Sequence, residues 1–311
     1  MTIAVTGSVA FDHIMTFPGR FTDHILPDKV HMINVSFLVD SLTKRRGGTA
    51  ANVAYNLALL GERPLVLATV GEDFADYRAS LERAGVDTSG IKEIPGLYTA
   101  SGFITTDLSD NQITGFYVGA MAMAGTLSLK DLTAKPDLVI VTPNDPSAMN
   151  RYPRECRELG IPFVYDPGQQ IVRLDGAALV DGMTGARCVI GNDYEVAMIE
   201  NKTGLSNSKV LELAEMLVVT KGEHGSVVIE RSGETVVPPA KPRAVLDPTG
   251  AGDAYRAGLL RGLLRGEPAH DWGKVAGLCA AYAVEQRGTQ EHAFTRDEFA
   301  RRLQVDFPVT A

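Results

Sequence analysis

Short runs of β-branched and other apolar residues alternate with segments of helical period along most of this 311-residue chain. The runs Ile3 to Val5, Leu65 to Val70, Leu138 to Thr142, Phe163 to Tyr165, Cys188 to Gly191, Leu217 to Lys221 and Ser226 to Glu230 read as strands. Between them, TAANVAYNLALLG places apolar residues at 50, 53, 54, 57 and 58, one buried face of a helix, and ends on Gly61. FADYRASLERAG repeats the plan and stops at Gly85. Strands alternating with helices predict an α/β core, a parallel sheet with helices on both faces. Residues 13–45 and 97–118 break the alternation, and the second stretch holds two β-rich runs joined by the turn-forming Asp107 to Asn111. These predict a small β-structure set into a core of 1–12, 46–96 and 119–311, placed as a lid over a site. No internal repeat or low-complexity linker separates the two parts.

Composition narrows the partners. Thirty basic against 38 acidic residues leave a net charge of -8, and the one basic cluster, Lys44-Arg45-Arg46, is short, so no nucleic-acid surface is expected. Cys156, Cys188 and Cys279 lie far apart with no CxxC pair, which predicts buried thiols in a reducing compartment. The N-terminus MTIAVTGSVAFDH has no basic region or long apolar core, and no apolar run approaches the ~20 residues a membrane span requires, so a cytoplasmic protein without membrane contact is expected.

The densest candidate chemistry is DPTGAGDAYRAGLL, residues 247–260. It is no dinucleotide fingerprint, because the position for a third small residue holds Tyr255, and no Gly-Lys-Ser/Thr occurs in the chain. Gly250, Ala251 and Gly252 at a helix start can turn backbone N–H groups toward one anion, aided by the helix dipole. Asp253 beside them would repel a merely bound phosphate. Its presence makes sense if it faces a hydroxyl attacking that phosphate and accepts the proton. A simple helix cap is the plainer alternative. Arg46-Gly47-Gly48 precedes the helix carrying Asn52, where bare backbone and an amide suit hydroxyl binding, or make a flexible turn with a solvent-facing Asn. Gly7 and Ser8 end a strand before Asp12, a carboxylate placed where α/β proteins contact ligands and suited to a vicinal diol. Asn192 and Glu195, three apart at a helix start, can hold Mg²⁺ through water or form a capping pair. VVTKGEHG, residues 218–225, ends a strand in a glycine turn that lies under a nucleotide or merely connects two strands.

In their order along the chain, RRGGTAANVAYNLALLG, VLATVGEDFADYRASLERAGVD, NDYE, VVTKGEHG and DPTGAGDAYRAGLL resemble the ribokinase-like (PfkB) family of sugar and nucleoside kinases over nearly the whole length. The resemblance implies a three-layer α/β/α core with a β-lid, ATP as donor, Mg²⁺, Asp253 as base and an anion hole at Gly250, Ala251 and Gly252. It further implies acceptor hydroxyls on Asp12, Gly48 and Asn52, ATP contacts from Asn192, Thr220, Gly222 and Gly225, and a metal role for Glu195. A monovalent cation, typically K⁺, is implied near Asp247 and Thr249. TGSVAFDHIMTFPGRF, SFLVD, FYVGAM and DPGQQIVRL are most similar to bacterial adenosine kinases of the mycobacterial type. That likeness brings Ser8, Asp12, Ser36, Phe116, Gln169, Gln170 and Arg173 toward the acceptor, with Phe116 stacked on a base and a glutamine on its edge or the ribose. One departure is clear: Gly102 stands where that type carries a second stacking ring, and the adjacent Phe103 belongs to the other strand face. The expected reaction is transfer of the ATP γ-phosphoryl group to a nucleoside 5′-hydroxyl, with adenosine as acceptor. A ribose- or fructose-type sugar kinase and a non-catalytic nucleotide-binding regulator are the alternatives. The lid's exposed β-edges predict a homodimer through the lid.

Overall fold

The structure is a computed structural model that describes residues 1–25, 27–32 and 34–308, without the side chains at 27, 29 and 30. Residues 26 and 33 of the expected lid and 309–311 of the expected core lie outside the described residues. Nine strands form one sheet in the order β13 (Gly233–Val237), β12 (Ser226–Glu230), β11 (Met216–Thr220), β10 (Cys188–Asn192), β9 (Phe163–Tyr165), β8 (Leu138–Val141), β1 (Ile3–Thr6), β4 (Leu65–Val70) and β5 (Ile91–Glu93). From β11 to β5 every pairing is parallel, and β12 and β13 continue the sheet as an antiparallel edge. Apolar residues at successive positions supply both faces: Ile3, Val5, Leu138 and Ile140 enter one core, whereas Ala4, Val139 and Val141 enter the other. The first face is covered by α1 (Thr49–Leu59), α2 (Ala75–Ala84), α7 (Ala251–Arg265) and α8 (Ala269–Val284). The second is covered by α3 (Pro146–Leu159), α4 (Gly176–Met183), α5 (Asp193–Thr203) and α6 (Asn207–Leu213). The last helix, α9 (Arg296–Asp306), packs Phe299 against Tyr282 of α8. The layers are therefore α/β/α, as expected.

The position of α7 is fixed by close backbone approach to α8. A Cβ at Gly258 would lie 2.4 Å from the Ala276 Cα, and one at Gly262 would lie 2.0 Å from the Trp272 Cβ. Neither site has room for a methyl group, so the helix that carries Asp253 cannot drift from the sheet without opening the core.

A separate four-stranded sheet follows the order β3 (Ser41–Gly47), β2 (Ala10–Thr16), β6 (Ala100–Thr106) and β7 (Gln112–Tyr117). Its strands reach into the flanking core segments, with β2 already formed at Ala10 and β3 running to Gly47. The reason lies in burial, since Ala10 and Phe11 are sealed against the core while the rest of β2 rises away from it. Strands β6 and β7 meet at the expected turn, where the Asp107 carboxylate accepts N–H bonds from Ser109 and Asn111 and a third from Phe21. The three cysteines are buried and free.

Candidate active site

The parallel strands end around the start of α7, at the C-terminal edge where open α/β sheets place ligands. Gly250 caps the helix with φ of 83°, a left-handed conformation that costs glycine nothing. It turns the chain so that the N–H groups of Gly250, Gly252 and Asp253 meet no carbonyl among the described residues, whereas the Ala251 N–H leans back on the Pro248 oxygen at 3.3 Å. The unpaired amides at this helix start are therefore those flanking Ala251 more than that of Ala251 itself. Asp253 sits in the first turn with its edge accessible and its carboxyl pushed up to about 6. Burial is the largest cause, opposed by the Arg256 charge and the Asn52 hydrogen bond and reinforced by Asp166 and Glu195.

Asn52 is not a solvent-facing amide. It is buried in α1, its Oδ1 accepts from the Thr289 hydroxyl at 2.9 Å and from Gln290 Nε2 at 2.8 Å, and its Nδ2 donates to Asp253 Oδ2 at 2.8 Å. Two donors on Oδ1 fix the amide orientation and force the nitrogen toward the carboxylate. Gln290 also donates to the Tyr77 hydroxyl, which donates to the Gly47 carbonyl, so the network ties the base to the glycine pair. On the other side, Asp166, at the end of β9, holds Arg256 through Nε and through Nη2, the latter at 2.7 Å. Both residues are buried, and removing one partner of such a pair costs about 3–5 kcal/mol.

The four-stranded sheet brings together Asp12, Gly102 and Phe116. Asp12 pairs with Gly102 and Gly102 with Phe116, so all three share one sheet face. The Asp12 carboxylate accepts no hydrogen bond from any described residue, and its oxygens lie over Gly47 and Gly102, where a Cβ would meet them at 2.6 and 3.0 Å. Its pKa is raised by burial and then by Asp247. Phe116 is half exposed beside it. Phe103 occupies the opposite face, stacked on His13 with ring centroids 4.8 Å apart. Gly48, with φ of 93°, begins α1 so close to β2 that a Cβ would lie 2.6 Å from the Ala10 nitrogen and the Ser8 oxygen.

Other expected contacts are placed differently. The Ser8 hydroxyl accepts the Thr49 N–H at 3.0 Å and is committed to the start of α1. Gln170 is buried with its Oε1 unpaired, whereas Gln169, Arg173 and Ser36 are exposed and make no side-chain bond to a described residue. Asn192 and Glu195 form the capping box: Asn192 Oδ1 accepts the Glu195 N–H and Glu195 Oε2 accepts the Asn192 N–H, both at 2.8 Å. The second Glu195 oxygen takes no part in that box, and the Glu195 charge is felt at Asp253 and Arg256. Among the described residues no three His, Cys, Asp or Glu side chains converge in a group that could hold a metal ion. Asp247 accepts the Thr249 N–H at 3.0 Å and the Gly288 N–H at 2.9 Å. Burial favours its neutral form, but these bonds, the Thr249 hydroxyl and the Arg45 charge hold it below the ordinary carboxylate range. Thr220 ends β11 half-buried, and Gly222 and Gly225 form the turn into β12, where a Cβ at Gly225 would strike the Val237 oxygen at 2.2 Å.

A cluster of unpaired backbone N–H groups, a buried carboxyl with a raised pKa and an unpaired carboxylate on a second sheet thus gather on an α/β/α scaffold. Residues 5–296 match the pfkB family carbohydrate kinase model, and the chain belongs to that family. It is 31% identical to the nucleoside kinase of Methanothermobacter thermautotrophicus, over 97% of this chain and 95% of that one. Its structure is similar to that of Burkholderia thailandensis nucleoside kinase in complex with inosine, with a TM-score of 0.88, 36% identity and 98% of each chain covered. Ribokinase from Cryptococcus neoformans, at 22% identity and a TM-score of 0.82, shares the fold, covering 97% of this chain and 99% of its own. No helix among the described residues is long and apolar enough to cross a membrane. Asp166, Arg256, Thr289, Gln290 and Tyr77 are site residues that sequence patterns did not single out. Arg256 and Asp166 each stood inside a noted segment, and for Arg256 a charged residue on the buried side of a helix was the available signal.

Proposed function

We propose that the chain transfers the γ-phosphoryl group of ATP to the 5′-hydroxyl of a nucleoside, with adenosine as the expected acceptor. The observation that carries this reading is Asp253, a carboxyl raised to about 6 beside three unpaired backbone N–H groups and held by Asn52. In that arrangement Asp253 orients the acceptor hydroxyl and takes its proton as the bond to phosphorus forms, while the amides absorb charge on the transferring oxygens. Asp12 and the Gly47-Gly48 backbone receive the ribose diol, and Phe116 stacks on the base. Mg²⁺ would reach the site with ATP, near Glu195, and supplies charge neutralisation on the phosphates. Asp247 and Thr249 are the proposed monovalent-cation site.

Gly102 supports a broad nucleoside range. With no second ring opposite Phe116, the base is gripped from one side, and a purine with a 6-oxo group fits as readily as one with a 6-amino group. The relative solved with inosine points the same way. A free sugar leaves Phe116 without a flat partner, which disfavours the ribose or fructose alternative. A regulator without catalysis would not need a raised, buried base.

An ATP-consumption screen across adenosine, inosine, other nucleosides, ribose and fructose, with and without K⁺, tests the reading. Nucleoside-dependent turnover is expected. Activity on free sugars alone, or on nothing, overturns it. The lid face opposite Asp12 exposes Phe103, Ile113, Tyr117 and Leu42, which supports the proposed homodimer. Size-exclusion with light scattering is expected to give a dimer, and a monomer at micromolar concentration refutes it.

A further inference from the structure

Arg256 carries more than a salt bridge. The side chain is 9% exposed, and its guanidinium is clamped on one edge by Asp166, which takes Nε and Nη2. The remaining amino group, Nη1, donates to nothing among the described residues and is not among their sealed, unpaired polar atoms, so it opens toward the surface of the site. It lies under the anion hole: a Cβ placed on Gly252 would be 2.8 Å from it. Gly252 thus leaves the space through which a planar cation, fixed by a buried carboxylate, presents one free N–H pair beside the unpaired N–H groups of Gly252 and Asp253. Neutralising Asp166 alone would not require this. A buried ion pair is an expensive way to fill space, and an apolar pair of equal volume stabilises at least as well. A fork of donors with two arms engaged and one aimed at an anion hole is the arrangement by which arginine recognises phosphate.

We propose that Arg256 is a phosphate-binding residue of this site, its Nη1 donating to the terminal phosphoryl group of a nucleoside triphosphate at the N-terminus of α7. The assignment rests on the kinase reading above and adds a cationic ligand that travels with the base on one helix. Asp166 is then a positioning residue, setting the plane of the guanidinium. As charge spreads over the equatorial oxygens of the transferring group, Nη1 and the amides of Gly252 and Asp253 meet it from the same side.

The test compares the full-length parent with Arg256→Gln/Asp166→Asn, which removes both charges but keeps hydrogen-bonding partners, and with Arg256→Lys, which keeps a cation but cannot both span Asp166 and reach the glycine. Binding of ADP and of β,γ-imido-ATP, each with excess Mg²⁺, is measured by calorimetry beside thermal melting. In both variants the imido analogue is expected to lose roughly tenfold or more in affinity, the share of a charge-assisted hydrogen bond, while ADP changes by less than about threefold. A merely structural role would weaken both nucleotides equally or neither, and either result overturns the proposal. If the double variant fails to fold, Arg256→Lys decides alone. Because these measurements need no acceptor, they stand apart from the kinase reading, which fails separately if the parent phosphorylates no nucleoside.

Discussion

Replacing Asp253 with Asn is expected to stabilise the ligand-free protein while removing its catalysis. The carboxyl is raised from 3.8 to about 6, so at neutral pH the folded state holds a charge that burial disfavours. A shift of roughly two units corresponds to about 3 kcal/mol, or about 2–3 after allowing for the exposed edge of the side chain. The sign follows from the raised folded pKa: the favourable protonated form is populated at low pH, and its benefit is lost as pH rises from about 4 through about 6. Asn mimics the protonated form at every pH, retains an acceptor for the Asn52 amide and escapes the penalty. For a chain of 311 residues, about 2.1 cal/mol/K per residue gives a melting temperature about 3–5 °C above the parent at pH 7.5. That gain shrinks toward zero near pH 4. Scanning calorimetry across pH, with ATP consumption on the same preparations, checks both halves. Turnover is expected to fall by about 10²–10⁴, the usual worth of a general base. An Asn variant that melts below the parent at pH 7.5, or that keeps near-normal turnover, refutes the reasoning.

The same ionisation governs rate: kcat/KM is expected to fall tenfold per unit below about pH 6 as Asp253 becomes protonated, and a flat profile down to pH 5 in steady-state assays removes it as the base. Gln290→Leu frees the Asn52 amide to rotate, so kcat is expected to drop about tenfold with little change in acceptor affinity, read by kinetics beside calorimetric binding. Gly48→Ala forces a Cβ into the Ala10 nitrogen and the Ser8 oxygen at φ of 93°, and urea unfolding is expected to register a loss of about 2 kcal/mol or more.

Much of this molecule could be read from local pattern, and what could not depends on residues far apart in the chain. Strands at Leu65–Val70, Phe163–Tyr165 and Ser226–Glu230 fall where the apolar runs place them, because each is buried on both faces and carries its own signal. The edge strands β5 and β13 carry no such run, being short or largely exposed, and escaped notice. The left-handed turn at Gly250 and the start of its helix are legible because the signal lies within a few residues. The burial of Asn52 and its bond to Asp253 depend on Thr289 and Gln290 more than two hundred residues away, and nothing in a single sequence announces that pairing. Asn192 and Glu195 form the capping pair that their spacing offers, using one carboxylate oxygen of Glu195. The one-residue offset between Gly102 and Phe103 was fully legible, because strand alternation permits no compromise, and the two residues do lie on opposite faces.

Asp12 lies on β2 of the four-stranded sheet, while Asp247 belongs to the core segment leading into α7, and after burial the Asp247 charge is what makes Asp12 harder to ionise. Any movement that brought these two carboxylates nearer would concentrate like charge in a place that water is leaving. On the function proposed above, the hydroxyls of a ribose ring would give Asp12 the donors it lacks and offset that repulsion. The pair would then act as a latch that engages only over cargo, favouring closure when an alcohol is there to receive the phosphoryl group.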